Sequence, residues 1–166
     1  MSGGARRELA LLLVPLAALG AYLATRSPAV GLIDSGELAA GCHLLNILHP
    51  TGYPLYTLVG RLASAFPLGS VAGRLVVLSA LFAAAGVGAF ILLARRLGVS
   101  RRAAAVAGLL LGFSFPVWAV AVDVEVYSLT FLLLGLLWLG ALAVDAGRPL
   151  ALFGYLVGLA LTNHMT

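Results

Sequence analysis

Apolar runs of membrane-spanning length constrain this chain more than any other feature. They lie near residues 9–25, 75–94, 103–122, 126–144 and 149–162, each close to the roughly 17–25 residues that a helix needs to cross a bilayer. Of all residues 62% are hydrophobic and 10% charged, where a soluble domain carries about a quarter charged residues. The sequence therefore predicts an all-α fold, a multi-pass transmembrane helical bundle of about five spans. It forms a single transmembrane domain over residues 1–166, with no sizeable soluble domain. The run 53–68 is too short for a further span and is broken by Pro54, Gly60, Arg61 and Pro67, as interfacial or re-entrant segments are.

Arg6 and Arg7 precede the first apolar run in the manner of a signal peptide. Leu9 to Thr25 is long for a signal core, however, and "AYLATRS" is a poor cleavage site, so the first span is expected to be retained. The final "GLALTNHMT" ends as an apolar segment finishes, which suggests the N-terminal fragment of a longer protein. Cys42 stands alone and cannot form an internal disulfide.

The net charge of +4 comes from ten arginines and no lysine. Arg6/Arg7, Arg95/Arg96/Arg101/Arg102 and Arg148 fall in alternate loops, which the positive-inside rule places in the cytoplasm together with the N-terminus. A basic balance of this kind sets topology and carries no nucleic-acid signature. The same threading puts the long loop 26–74, the Asp123–Glu125 turn and the Asn163–His164 end on the opposite face. Four of the six acids (Asp34, Glu37, Asp123 and Glu125) and all three histidines (His43, His49 and His164) then share that face. Acids contribute little to topology, so a functional pole on the non-cytoplasmic side is the simplest reading.

Within the long loop, Leu55, Leu58, Val59, Leu62 and Phe66 recur at helical spacing, with Tyr56, Thr57, Arg61 and Ser64 off that stripe. This predicts a short amphipathic helix on the membrane surface. Residues 36–48 make a weaker version, with Leu38, Cys42, Leu45 and Leu48 on one side. Between them "HPTGYP" cannot be helical, because Pro50 and Pro54 restrict the residues before them. "DSGE" is spaced as a capping box, Asp34 at the N-cap and Glu37 reaching back. It is equally spaced to present a carboxylate base with a partner one turn away.

The remaining candidates also have structural explanations. His49 before Pro50 is a turn residue, and Arg61 can be a snorkelling anchor or bind a lipid phosphate bidentately. Asp123 and Glu125 can simply end a span, although acids at a membrane edge point to function by default. Trp118 and Tyr127 suit an aromatic belt. No metal-ligand spacing such as H-x-x-x-H or C-x-x-C is present, so no cofactor is assigned, and a divalent metal stays open.

"DSGE", "HPTGYPLYTLVGRLASAFP", "AGRLVVLSALFAA", "FPVWAVAVDVEVYSL" and "LTNHMT", in this order, resemble the motifs of the protein O-mannosyltransferase-like family of multi-pass membrane proteins. The resemblance runs from about Leu32 onward. It implies the N-terminal part of a C-type glycosyltransferase fold, with a polyprenyl-phosphate sugar donor and an active site on the non-cytoplasmic face of the cell's inner (plasma) membrane. It also implies that an acid of the first external loop acts as base or orients the acceptor. Carried onto this chain, that acid is Asp34, with Glu37 beside it. His49, Arg61, Asp123, Glu125, Asn163 and His164 are the expected donor- or substrate-binding residues. The acceptor would be a hydroxyl, with protein Ser/Thr one option, and the sugar would be mannose by analogy. Transfer from a lipid phosphate needs a base for the hydroxyl and cationic or dipolar help for the departing phosphate, which Asp34 and Arg61 or His49 could supply. The competing class is a transporter or lipid flippase using external-face acids. That class predicts acids near mid-span, or inverted repeats with broken helices.

Overall fold

The computed structural model describes residues 8–31, 33–50 and 52–164. Arg6 and Arg7, which the topology argument used, lie outside them. Among the described residues there are eight α-helices and no strand. A 3₁₀ turn, Ala10–Leu12, leads into α1 (Leu13–Thr25). Then come α2 (Ser35–Leu44), α3 (Pro54–Ser64), α4 (Val71–Arg96), α5 (Arg101–Gly112), α6 (Phe115–Ala121), α7 (Tyr127–Asp145) and α8 (Leu150–Asn163).

Helices occupy all five regions expected to span, but their lengths differ. The 26-residue α4 and the 19-residue α7 are long and apolar enough to cross a bilayer by themselves. Ala10–Thr25 and the 14-residue α8 are shorter apolar helices. The expected single span 103–122 is instead two helices, α5 and α6, meeting at 62°. Pro116 explains the break. An unbroken helix would have residue 116 donate its N–H to the carbonyl of Gly112, and proline has none to give. In lipid a freed carbonyl needs another donor, and the Tyr22 hydroxyl of α1 supplies it at 2.5 Å. Tyr22 also meets Trp118 edge-on, with ring centroids 5.6 Å apart. Trp118 thus packs around the kink, where the sequence suggested a belt residue.

The helix α4 is the hub, contacting α1, α2, α3, α5, α6 and α7, while α8 packs on α7 and α3. At about 1.5 Å per residue α4 is roughly 39 Å long, and its two ends differ in charge. At its C-terminal end Glu8 bonds Arg101 at 2.6 Å and Arg95 at 3.1 Å. Its N-terminal end carries the long loop, the Asp123–Glu125 turn and the end of α8. The acid-rich and arginine-rich regions therefore lie at opposite ends of the bundle.

The loop departs from expectation in one respect. The weaker helix ends at Leu44 rather than running to residue 48, because Leu45 turns left-handed (φ +56°). Leu45 is consequently exposed, while Leu48 folds back and is buried beside Gly41. α3 forms as the spacing predicts, and its more polar stripe (Tyr56, Thr57, Gly60, Ser64) is the buried one. Leu58, Leu62 and Phe66 face outward, as an interfacial helix would present them to lipid.

The kink gives a direct test. Tyr22→Phe keeps the ring but leaves the Gly112 carbonyl without its donor, and an unsatisfied buried carbonyl costs about 1–3 kcal/mol. The variant should melt several degrees below the wild type in detergent; an unchanged melting temperature would mean that the bond contributes nothing to stability.

Candidate active site

The acidic end is assembled from four chain regions. The first is the start of α2. Asp34 occupies the N-cap position, yet its side chain makes no capping hydrogen bond. The capping box that "DSGE" suggested therefore does not form. Glu37 turns instead toward His49, twelve residues on. Its Oε1 accepts the His49 backbone N–H at 2.7 Å, and its Oε2 lies 3.0 Å from His49 Nδ1. These two bonds, the backbone one first, hold the Glu37 carboxyl below its ordinary value of 4.5.

The second region is the turn between α2 and α3. Gly52 donates to the His49 carbonyl at 2.7 Å, closing the Pro-Gly turn that keeps this segment out of a helix. Tyr53 follows in the left-handed region (φ +45°), with Pro54 at the start of α3. This conformation folds the Tyr53 ring back over the turn, where its hydroxyl lies 3.0 Å from His49 Nε2. With a proton on Nδ1, His49 donates to Glu37 and accepts from Tyr53, so both ring nitrogens are satisfied. The Asp34 carboxylate stands 4.0 Å from Nε2 and is 48% exposed, available to a molecule arriving from outside. Ile33, immediately before it, has a φ of +70°, uncommon for a β-branched residue.

The third and fourth regions are the turn after α6 and the end of α8. Asp123 Oδ1 accepts the Val124 N–H at 2.7 Å. Its other oxygen lies against Gly31, where a Cβ would stand 2.2 Å away, so a larger residue at position 31 would have to push the carboxylate aside. The Glu125 N–H donates to Ser79 of α4 at 3.3 Å. Burial pushes the Glu125 carboxyl above 4.5, and the negative charges of Asp123 and Asp34 push it further. Tyr53 is likewise raised, first by burial and then by Tyr127, Asp34, Glu37 and Glu125. His164 lies 5.5 Å from the Tyr53 ring and 5.3 Å from that of Tyr127.

Asp34, Glu37, His49, Asp123, Glu125 and His164 therefore converge. Asn163 takes part indirectly: it is buried and donates to Thr130 Oγ1 at 3.0 Å, which fixes the end of α8 against α7. Arg61 is not part of the cluster. It donates to the His43 carbonyl at 2.5 Å, at the far end of α2 from Glu37. His43 is also at that end, 3.4 Å from Ser64. The sequence reading missed Tyr53 and Ser79. Tyr53 sits in the quoted "HPTGYP" run, four residues after His49, but within a non-helical turn that spacing carries no signal.

Asp34, Glu37 and His49 each offer one ligand atom within 4.8 Å of the others, a set of hard oxygens and one imidazole suited to a divalent cation. The fit is partial. With both His49 nitrogens engaged, a cation would have to displace Glu37 or Tyr53.

The family described as the protein O-mannosyl-transferase TMEM260 N-terminal domain matches residues 34–166. The chain belongs to this family. A mouse relative, "Protein O-mannosyl-transferase TMEM260", is 35% identical over 141 residues, covering 80% of this chain and 20% of the relative. The chain thus spans about a fifth of that curated protein's length. No solved structure matches it. The family region begins at Asp34 and takes in every converging residue, but leaves out α1 and Tyr22.

The Glu37 contact has a defined pH dependence. A lowered carboxylate contributes stability that is fully present above its unfolded value of 4.5 and is lost as pH falls through the folded one. Wild type should therefore melt above Glu37→Gln at neutral pH, with the gap closing as pH drops below about 4.5. A gap that stays constant through acid pH would show that the carboxylate charge is not what holds His49.

Proposed function

We propose that this chain carries the catalytic base of a membrane glycosyltransferase. The enzyme would move a sugar, mannose by its family's name, from a polyprenyl-phosphate donor to a hydroxyl, with protein Ser/Thr the expected acceptor. The observation that carries the reading is the state of Asp34. In a chain of this family, the first acid of the family region caps no helix, is half-exposed, and has an ordered His49–Glu37 pair behind it.

In this mechanism an Asp34 oxygen removes the proton of the acceptor hydroxyl as its oxygen attacks the sugar's anomeric carbon. The bond from that carbon to the phosphate oxygen breaks, and the phosphate leaves with the bonding pair as polyprenyl phosphate. Glu37, with both oxygens taken by His49, is a poor candidate for the base and instead orients the imidazole beside Asp34. Glu125, half-buried near Asp123, is assigned a hydrogen bond to the substrate. Asp123 and His164 complete the wall, and Asn163 positions it. Arg61, engaged with α2, is left out of the reacting group. A divalent cation, if one binds, would be held by Asp34, Glu37 and His49 and would add positive charge near the departing phosphate. The proposed site faces the non-cytoplasmic side of the inner (plasma) membrane, so that the donor's tail can stay in lipid.

The break between α5 and α6 favours the transporter reading, since broken helices line transport sites. There, however, the freed backbone faces the substrate. Here the Gly112 carbonyl is taken by Tyr22, and the kink is packed with Tyr22, Phe113 and Trp118.

Two measurements test the proposal. Asp34→Asn makes no change to capping, which Asp34 does not provide, and should leave the melting temperature within about a degree. Sugar transfer from a polyprenyl-phosphate donor should fall about 10²–10⁴-fold, the usual worth of a general base. Glu37→Gln should lose less. Activity of Asp34→Asn within a few-fold of wild type would remove Asp34 as the base.

The orientation is tested by cysteine labelling. Ile47→Cys, at a fully exposed loop position, should react with an impermeant reagent outside intact cells, and Val99→Cys, between α4 and α5, should not. The reverse pattern would put the site in the cytoplasm.

A further inference from the structure

Arg26, Arg61 and Arg74 lie at the acidic end of the bundle, against the bias that the other loop arginines follow. Arg61 is accounted for by the His43 carbonyl. Arg26 and Arg74 share a groove of about 820 Å³ between the end of α1, the end of α3 and the first turns of α4. Each uses one Nη on the backbone: Arg26 on Leu23, and Arg74 on Phe66. The Nε of Arg74 is buried without a partner, a charged donor left unsatisfied in a confined place.

Below this charge the wall is apolar. Arg74, Val77, Leu78 and Leu81 follow one another at helical spacing down α4, so the groove runs about 10 Å along the helix from guanidinium to hydrocarbon. Phe66 and Leu68, both exposed, flank its mouth. None of the described acidic residues lines it. A soluble anion would leave the apolar wall uncovered, and a neutral lipid would leave the two cations unmatched. None of the converging acids or histidines lines the groove either, so a sugar donor seated there would have no base beside it.

We propose that this groove binds an anionic phospholipid of the surrounding bilayer, with its phosphate between Arg26 and Arg74 and an acyl chain along Val77, Leu78 and Leu81. Charge-assisted bonds from two guanidinium groups fix the phosphate, and burial of the chain against α4 supplies the remaining affinity. The site is separate from the acid cluster and does not depend on the glycosyltransferase reading.

The test is lipid retention, read by native mass spectrometry of the purified protein released from nanodiscs of phosphatidylcholine with phosphatidylglycerol of the same chains. Wild type should retain phosphatidylglycerol over phosphatidylcholine by about tenfold or more, and Arg26→Gln and Arg74→Gln should each lose that preference. Arg148→Gln, at the opposite end, and Asp34→Asn should keep it. Arg26→Gln carries the test should Arg74→Gln fail to fold. Equal retention of the two lipids by wild type, or an undiminished preference in Arg26→Gln, would overturn the proposal. Displacement of phosphatidylglycerol by an equimolar polyprenyl phosphate, lost in Arg26→Gln, would also overturn it and assign the groove to the donor.

Discussion

Side chains are small on one partner where α3, α5 and α7 cross α4, and this allows both apolar helices and the outer loop to approach it closely. A Cβ on Gly86 would stand 2.4 Å from the Phe131 ring of α7, and one on Gly135 would stand 2.8 Å from the Ala89 side chain. Gly108 of α5 accepts the Ile91 side chain in the same way, and Gly60 of α3 lies against Cys42 and Leu75. In lipid, helix association relies on such close packing because the hydrophobic effect does not separate one apolar surface from another. The same device thus seats the loop helices, so a segment of modest amphipathicity holds a defined place over the end of α4.

That defined place creates the electrostatic differences at the acidic end. Glu37 and Glu125 are chemically alike and belong to one cluster, yet they shift in opposite directions. Glu37 is exposed and held by two bonds from His49, which favours its charged form; Glu125 is half-buried near other acids, which favours its neutral form. Tyr53 links the two environments, bonding His49 and feeling the charge of Glu125. A loop free to move could not sustain this contrast.

Much was readable in the residues. The apolar runs fixed an all-helical membrane fold, and the spacing of Leu58, Leu62 and Phe66 fixed which face of α3 points outward. The concentration of acids and histidines at one end followed from threading alone. What was misread involved contacts between distant residues. "DSGE" has the spacing of a capping box, but Glu37 finds in His49 a partner offering both a backbone and a side-chain donor, and no local pattern registers a partner twelve residues away. Pro116 was visible within the run 103–122, yet a proline bends a lipid-facing helix durably only where another group satisfies the carbonyl it frees. That group, Tyr22, lies ninety residues earlier in the chain.

By itself, then, the sequence determined the solvent this chain folds in, the rough extent of its apolar segments, its family, and the end of the bundle at which its polar chemistry collects. These depend on composition and short-range periodicity, which each segment carries alone. Tertiary structure decided which polar groups meet. It left the Asp34 side chain free of the helix cap, tied Glu37 and Tyr53 to His49, withdrew Arg61 to the far end of α2, and brought Arg26 and Arg74 to one groove. Each of these pairings depends on how closely loop and helix approach α4, a distance fixed by glycines and alanines whose partners lie far away in the chain.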